Sequence, residues 1–268
     1  MSPNKQNQDP KLAVKVLDAS VIFPSKDKPV HALKNVSLDI AEGEFVSFIG
    51  PSGCGKTTLM RVIADLEQLS SGTVLVNGVS AQQARQSGAY GYVFQAPALY
   101  PWRTVLKNVT LPLEIKGVNP QTRRDIAMRQ LASVGLAGFE GSYPWQLSGG
   151  MQQRVSIARA LGFEPRILMM DEPFGALDEI TRDRLNEQLL TLWANERRTV
   201  IFVTHSIPEA AFLSSKIVVM SARPGRVVEV IESNLPPGRT LEIRETPEFV
   251  DIAHRIRVAL RKGESVDA

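Results

Sequence analysis

Gly50, Pro51, Ser52, Gly53, Cys54, Gly55, Lys56, Thr57 and Thr58 carry the spacing G-x-x-x-x-G-K-[ST]. Glycines so placed let consecutive backbone N–H groups turn inward around phosphate oxygens, and a following helix adds its positive N-terminal end. In such a loop Lys56 reaches the β- and γ-phosphates of a nucleotide, and the Thr57 hydroxyl ligates Mg²⁺. A chance match to four fixed positions arises in about one chain in a hundred of this length. The apolar run Glu44–Ile49 before the loop and the helix-like Thr57–Ala64 after it supply the required strand–loop–helix setting. Phosphate binding is the stronger reading.

A second constellation is Ile167–Met170 followed by Asp171 and Glu172. Four apolar residues make a buried strand whose end delivers an acid to the carboxyl edge of a sheet, where ligands bind in open α/β folds. Asp171 is then placed to hold the magnesium, and Glu172 to act as base for an attacking water. An apolar run before Asp-Glu is by itself a weak signal. Beside the phosphate loop it gains force. A third segment, Leu147-Ser-Gly-Gly-Met-Gln-Gln-Arg154, puts Ser148, Gly149 and Gly150 just ahead of a helix, which makes a second anion-binding turn. A single nucleotide site does not need two such cradles.

The elements that must position these groups alternate. Residues 14–49 read as β-rich, Thr73–Val76 with Asn77-Gly78 as a hairpin, and Tyr90–Phe94 as a strand ending at Gln95. Residues 96–149 hold few strand signals, and Asn119-Pro120 opens a helix with Ile126, Ala127, Leu131 and Val134 near helical spacing. Helix-like Met151–Leu161, strand Ile167–Asp171, helix Asp178–Glu196, strand Thr199–Thr204 and short helix Ile207–Leu213 follow. Lys216–Ser221 and Val227–Ile231 read as closing strands, and Thr246–Lys262 as a terminal helix. This is α/β, with a largely parallel sheet covered on both faces and a helical insertion.

Composition limits the function classes. The 268 residues are 43% hydrophobic, with a formal charge of +3 and no basic arm, so nucleic acid is not the expected partner. The lone cysteine, Cys54, fits a reducing compartment. It also sits near a helix N-terminus, a place that lowers a thiol's pKa, although a filler role in a variable motif position is preferred for it. Bound nucleotide is expected to shield it from alkylation. No secretory signal or membrane-length apolar run is present, so a soluble, cytoplasmic chain is expected, with any membrane role supplied through a partner.

Taken together, these motifs resemble the ATP-binding subunits of ABC transporters over nearly the whole chain. Leu147–Arg154 is similar to that family's signature, Gly50–Thr57 to its phosphate loop and Ile167–Glu172 to its Walker B strand. Gln95 resembles the Q-loop glutamine, Gly175-Ala-Leu-Asp178 the D-loop, and His205 the switch histidine. The resemblance implies a P-loop NTPase (RecA-like) core over about 1–95 and 150–231, including an N-terminal antiparallel β subdomain. It also implies a helical subdomain over 96–149 and a C-terminal extension over 232–268, all within one ATP-binding domain. ATP and Mg²⁺ are the implied cofactors. Two ATP molecules would be enclosed in a head-to-tail pair with a second copy or a related subunit, each between Gly50–Thr57 of one chain and Ser148–Gly150 of the other. His205 would contact the γ-phosphate and steady the water and Glu172. Gln95 would sense magnesium and relay nucleotide state to residues 96–115, facing a membrane partner. Asp178 would lie at the nucleotide interface. Phe23 stands where the family stacks an aromatic on adenine, and equally where a strand would bury one.

Within the family, Tyr100-Pro-Trp-Arg-Thr-Val105, Tyr143-Pro-Trp145, Met170–Asp178 and Ala222-Arg-Pro-Gly-Arg226 resemble the nitrate/sulfonate/taurine importer branch. That branch implies uptake of a small, anionic solute through a separate transmembrane permease. An external solute-binding protein, periplasmic or lipoprotein, captures the solute, and the ATPase sits peripherally on the cytoplasmic face of the inner membrane. Trp102 is expected near the partner-facing groove. Exporter ATPases and non-transport ABC ATPases are the alternatives; the latter expect coiled-coil insertions or tandem domains. Two residues depart from the pattern. Asp65 replaces a glycine, a change expected to alter packing only. Ser206 replaces an aspartate beside the switch, which removes a charge and is expected to alter the coupling to the opposite subunit.

Overall fold

The computed structural model describes residues 11–25, 28–175 and 177–264. The middle of the Pro24–Lys28 stretch and Ala176 of the Gly175–Asp178 motif lie outside the described residues.

Two long strands open the chain, β1 (Leu12–Phe23) and β2 (Val30–Ala41), and β3 (Phe45–Ile49) runs into the glycine-rich loop and α1 (Lys56–Ile63). Then come β4 (Ser71–Val76), β5 (Val79–Ser80), α2 (Ala81–Ser87) and β6 (Tyr90–Val93). The helices α3 (Val105–Ile115), α4 (Pro120–Ser133) and α5 (Gly149–Leu161) follow without an intervening strand. The alternation resumes with β7 (Ile167–Asp171), α6 (Glu179–Glu196), β8 (Thr199–Thr204), α7 (Ile207–Leu213), β9 (Lys216–Met220) and β10 (Val227–Glu232). A final helix, α8, covers Pro247–Glu264.

The strands form two sheets. One is antiparallel, in the order β2-β1-β4-β5; the other has the order β10-β9-β3-β8-β7-β6 and is parallel except for β10. The period of two along the central strands divides the core. Phe45, Ile49, Leu168, Met170, Val200, Phe202, Ile217 and Val219 join one apolar cluster with residues of α5, α6, α7 and α8. Their neighbours Val46, Phe48, Ile167, Met169, Ile201, Val203, Val218 and Met220 join a second, with α1 and the antiparallel sheet. Both faces are thus covered, which is why these strands read as unbroken apolar runs rather than alternating ones.

Local signals account for the boundaries. Asn119 caps α4 by accepting the Thr122 N–H at 2.9 Å, with Pro120 in the first turn, as its sequence predicts. Asn77-Gly78 turns β4 into β5. The expected strand Tyr90–Phe94 ends one residue earlier, at Val93. Helix α2 was not anticipated: it begins with a capping box between Ser80 and Gln83. Asp65 adopts φ 52°, the left-handed region that glycine occupies freely, and its carboxylate pairs with Arg85 at 2.8 Å. The departure from glycine therefore acts on the backbone and through an ion pair, not on packing alone as its sequence suggested.

Candidate active site

Strand β3 ends at the carboxyl edge of the parallel sheet, and the chain turns there through Gly50–Gly55. Gly55 has φ 101°, and a Cβ on it would stand 2.8 Å from both Ala32 O and Leu33 Cδ2, so only glycine fits. Lys56 is buried and folds back over the loop, its ammonium donating to Gly50 O at 2.8 Å and Pro51 O at 3.0 Å. A cation is therefore already held at the centre of the cradle. Ser52 and Gly53 lie exposed at its tip. The Cys54 thiol is buried and its pKa is raised by that burial, which outweighs the nearby Lys56. The lowering expected from the helix N-terminus does not prevail, and the thiol is already buried in the chain without nucleotide.

Thr57 donates its hydroxyl to Asp171 Oδ1 at 2.8 Å, joining the start of α1 to the end of β7 across the sheet. Burial raises the Asp171 pKa, against the opposing pull of Thr57 and Arg61. A buried carboxylate beside a hydroxyl, with no cation closing on it at ion-pair distance among the described residues, is an oxygen donor set that fits Mg²⁺. Glu172 follows at φ 43°, a left-handed backbone costing about 1 kcal/mol for a residue with a Cβ. That turn brings its Oε2 to 3.2 Å from Nδ1 of His205, which stands exposed just past β8. Gly175 lies beside both: a Cβ on it would sit 3.7 Å from Glu172 Oε2 and 3.8 Å from His205 Cε1.

The remaining expected residues divide. Gln95 is exposed just beyond β6, and the stretch around it is gripped by α5: Gln153 donates to Phe94 O at 3.3 Å, and Arg159 to Pro97 O and Ala98 O at 2.9 and 2.8 Å. Ser148 caps α5 through the Met151 N–H, with Gly149 exposed and Gly150 buried against Thr181. Among the described residues, no hydrogen bond or ion pair joins Ser148–Gly150 to Gly50–Thr57. Asp178 caps α6 by accepting the Thr181 N–H at 2.9 Å. Phe23 is half-buried at the end of β1 and packs against the second core cluster. Trp102 and Trp145 are 72% and 71% exposed, each beside a tyrosine, Tyr100 and Tyr143.

Several residues escaped the sequence reading. Arg182 of α6 donates to Phe174 O and Leu177 O on either side of the Gly175 turn and stands 3.9 Å from Glu209 of α7. Glu209 accepts from Thr204, whose own hydroxyl oxygen receives the Ser206 N–H. Burial raises the Glu209 pKa. The Gly175 turn and the base of the His205 segment are thereby tied together. Ser206 caps α7 through the Glu209 N–H at 3.4 Å, so the uncharged replacement retains a capping oxygen. The one available signal for these groups was helical spacing from Asp178 and His205.

A family model described as "ABC transporter" matches residues 33–175. The taurine import ATP-binding protein TauB of Rhizobium johnstonii is 43% identical over 259 residues, covering 94% of this chain and 98% of that one. The nitrate import ATP-binding protein NrtD of Synechocystis sp. is 41% identical over 259 residues, covering 94% and 96%. Among solved structures, a dimeric ATP-binding cassette in a post-hydrolysis state bound to ADP and Pi superposes with a TM-score of 0.73. It is 36% identical and covers 82% of this chain and 98% of that one. The expected α/β fold and ATPase chemistry are those of these relatives, and the chain belongs to the ABC transporter family, as an ATP-hydrolysing cassette.

Proposed function

We propose that the chain powers an importer for a small anionic solute of the taurine, sulfonate or nitrate class through a separate membrane permease, with an external binding protein delivering the solute. The likeness to taurine and nitrate import ATP-binding proteins supports the importer reading. The observation that carries the paired ATPase behind it is the division of the polar groups between two places. The phosphate loop, Asp171, Glu172 and His205 share the carboxyl edge of the sheet, while Ser148–Gly150 present an open helix start elsewhere on the chain. Two chains in head-to-tail register bring the Ser148–Gly150 turn of each over the nucleotide of the other, with Asp178 at the same interface. Such a pair is made of this chain twice or of this chain with a related subunit. Phe23, beside the loop's own core, is the stacking surface proposed for adenine.

Within one site, Gly50–Thr58 bind the polyphosphate through backbone N–H groups, and Lys56 turns from the loop carbonyls to the phosphate oxygens. Thr57 and Asp171, with Gln95, would hold Mg²⁺, which supplies charge neutralisation at the phosphates. Glu172 accepts the proton of a water attacking the γ-phosphorus; the bond to the bridging oxygen breaks and ADP departs. His205, at 3.2 Å, fixes the Glu172 carboxylate and contacts the γ-phosphate.

No helix among the described residues is long and apolar enough to cross a membrane, so membrane attachment falls to a partner. The exposed aromatic pairs at Tyr100–Trp102 and Tyr143–Trp145 support a contact surface there, because exposed tryptophans in groups mark protein interfaces. The grip of α5 on residues 94–98 would link that surface to Gln95 and to the signature helix.

Membranes from cells expressing the tagged chain provide the test: a polytopic permease should co-purify with it in detergent. Replacing both Trp102 and Trp145 by Ala should release the permease while ATP binding persists. Retention of the permease by that variant would remove the aromatic surface from the reading, and absence of any permease with the native chain would remove the importer.

A further inference from the structure

The segment Ser221–Arg226, between β9 and β10, is folded into a tight loop that leans on the phosphate cradle. Ser221 N donates to Arg226 O at 2.9 Å, and the Ser221 hydroxyl oxygen accepts from Arg226 N at 3.1 Å. Gly225 donates to Ala32 O at 2.9 Å and accepts from Lys34 N at 3.0 Å. A Cβ on Gly225 would stand 2.0 Å from Cys54 O, so the loop touches the cradle's backbone directly. From this base Arg223 reaches across, and both its Nε and Nη2 donate to Gly53 O, at 3.2 and 3.1 Å.

Gly53 sits at φ 73°, at the exposed tip of the cradle, where the Gly53–Cys54 peptide is held on its N–H side by the turn contact to Pro51 O and on its carbonyl side by Arg223. A trans peptide sets its C=O and N–H on opposite sides of one plane. Capture of Gly53 O from outside by Arg223 therefore turns the Cys54 N–H to the other side. There it meets Pro51 O at 3.3 Å, the same carbonyl that receives the Lys56 ammonium. Both donors converge on Pro51 O, the carbonyl from which a phosphate would draw them.

We infer that Arg223 is a positioning residue for ATP: its two-pronged hold on Gly53 O keeps the Gly53–Cys54 peptide turned with its N–H into the cradle before nucleotide arrives. This rests on the reading of Gly50–Thr57 as the ATP phosphate cradle. The arginine side chain is exposed and makes no other hydrogen bond or ion pair among the described residues, so its removal leaves the core untouched. Lysine retains the charge but not the fork that grips one oxygen from two nitrogens.

The experiment compares Arg223→Ala, Arg223→Lys and Lys56→Ala in the full-length chain, by calorimetric titration with ATP, steady-state ATPase kinetics and nucleotide-free melting. Arg223→Ala should raise the ATP Kd and the KM together by about tenfold, with a smaller fall in kcat, because a preformed donor is lost rather than a reacting group. Arg223→Lys should recover only part of the affinity, and both variants should melt at the native temperature without nucleotide. Unchanged affinity in Arg223→Ala, complete recovery in Arg223→Lys, or a lowered nucleotide-free Tm would each overturn the positioning role. Lys56→Ala separates the two levels: if it too binds ATP normally, the cradle reading itself fails.

Discussion

The chain carries two turns rich in glycine at helix starts, and they differ in what surrounds them. Around Gly50–Thr57 a cation, a hydroxyl and the carboxylates are all supplied by the same chain: Lys56 lies buried on the loop carbonyls, and Thr57 reaches Asp171. Ser148–Gly150 has a capping serine turned to its own helix, and a Cβ on the exposed Gly149 would meet nothing within 4 Å. Backbone N–H groups at a helix start attract an anion in both places, but water competes fully only at the open one. Enclosure by the chain's own side chains is what separates the first turn from the second.

The strongest way to test the first cradle's self-sufficiency is to remove its chemistry without disturbing its binding. Glu172→Gln should lower turnover by about 10²- to 10⁴-fold, the usual contribution of a general base, while ATP still binds and favours the dimer. Normal hydrolysis by this variant would transfer the base to another group and dissolve the functional meaning of the Glu172–His205 contact. Lys56→Ala should come next, raising the ATP Kd by about a hundredfold through loss of a charge-assisted contact. Titration with labelled ATP reads it directly.

The second cradle calls for the opposite pattern. Ser148→Asp preserves helix capping, since aspartate caps as well as serine, but sets a negative charge where a partner's phosphates would dock. ATP affinity of the single chain should stay within about twofold, while ATP-dependent dimerisation weakens by about thirtyfold because like charges oppose each other in a closed interface. Sedimentation of the native and Ser148→Asp chains in the Glu172→Gln background measures this. A dimer that forms equally well would place Ser148 outside the interface.

The two cradles were also unequally legible in the sequence. Gly50–Thr57 combines an apolar strand, a fixed spacing and a helix, and β3, β7 and β8 are so fully buried that their apolar runs stand out. Ser148–Gly150 was recognisable chiefly through its resemblance to a known signature. Helix α2 went unseen because its sequence, AQQARQS, has no apolar stripe, although the Ser80–Gln83 box was available. Arg182 and Glu209 carried only a weak spacing signal, and Arg223 stood inside the recognised string Ala222–Arg226 with nothing to mark its role. They are charged residues whose roles come from backbone carbonyls and side chains brought near by folding, such as Gly53 O, which is far away in sequence. Arg239 is the extreme case: buried, donating to Phe212 O and Ser214 O, with its pKa lowered to about 10 by burial. Nothing in its local sequence marks it as interior.

The smallest expected effect concerns Asp171 and the pH at which the first cradle is ready for its metal. Burial lifts its folded-state pKa above the ordinary 3.8, so across the window between the two values the folded chain holds more protons than the unfolded one. The free protein therefore loses stability as pH rises through that window, because the buried carboxylate must ionise. Binding of ATP with Mg²⁺ runs the other way, since the metal favours the ionised form. Affinity for ATP with Mg²⁺ should fall by at most about tenfold per pH unit on the acid side of the raised pKa, the limit for a single linked proton. ATP binding without Mg²⁺, and binding by Asp171→Asn with Mg²⁺, should lack that component. Parallel titrations of native chain and variant at stepped pH distinguish it from general acid unfolding. An identical decline in Asp171→Asn would mean that the carboxylate facing Thr57 is a structural contact and that the metal is held elsewhere in the cradle.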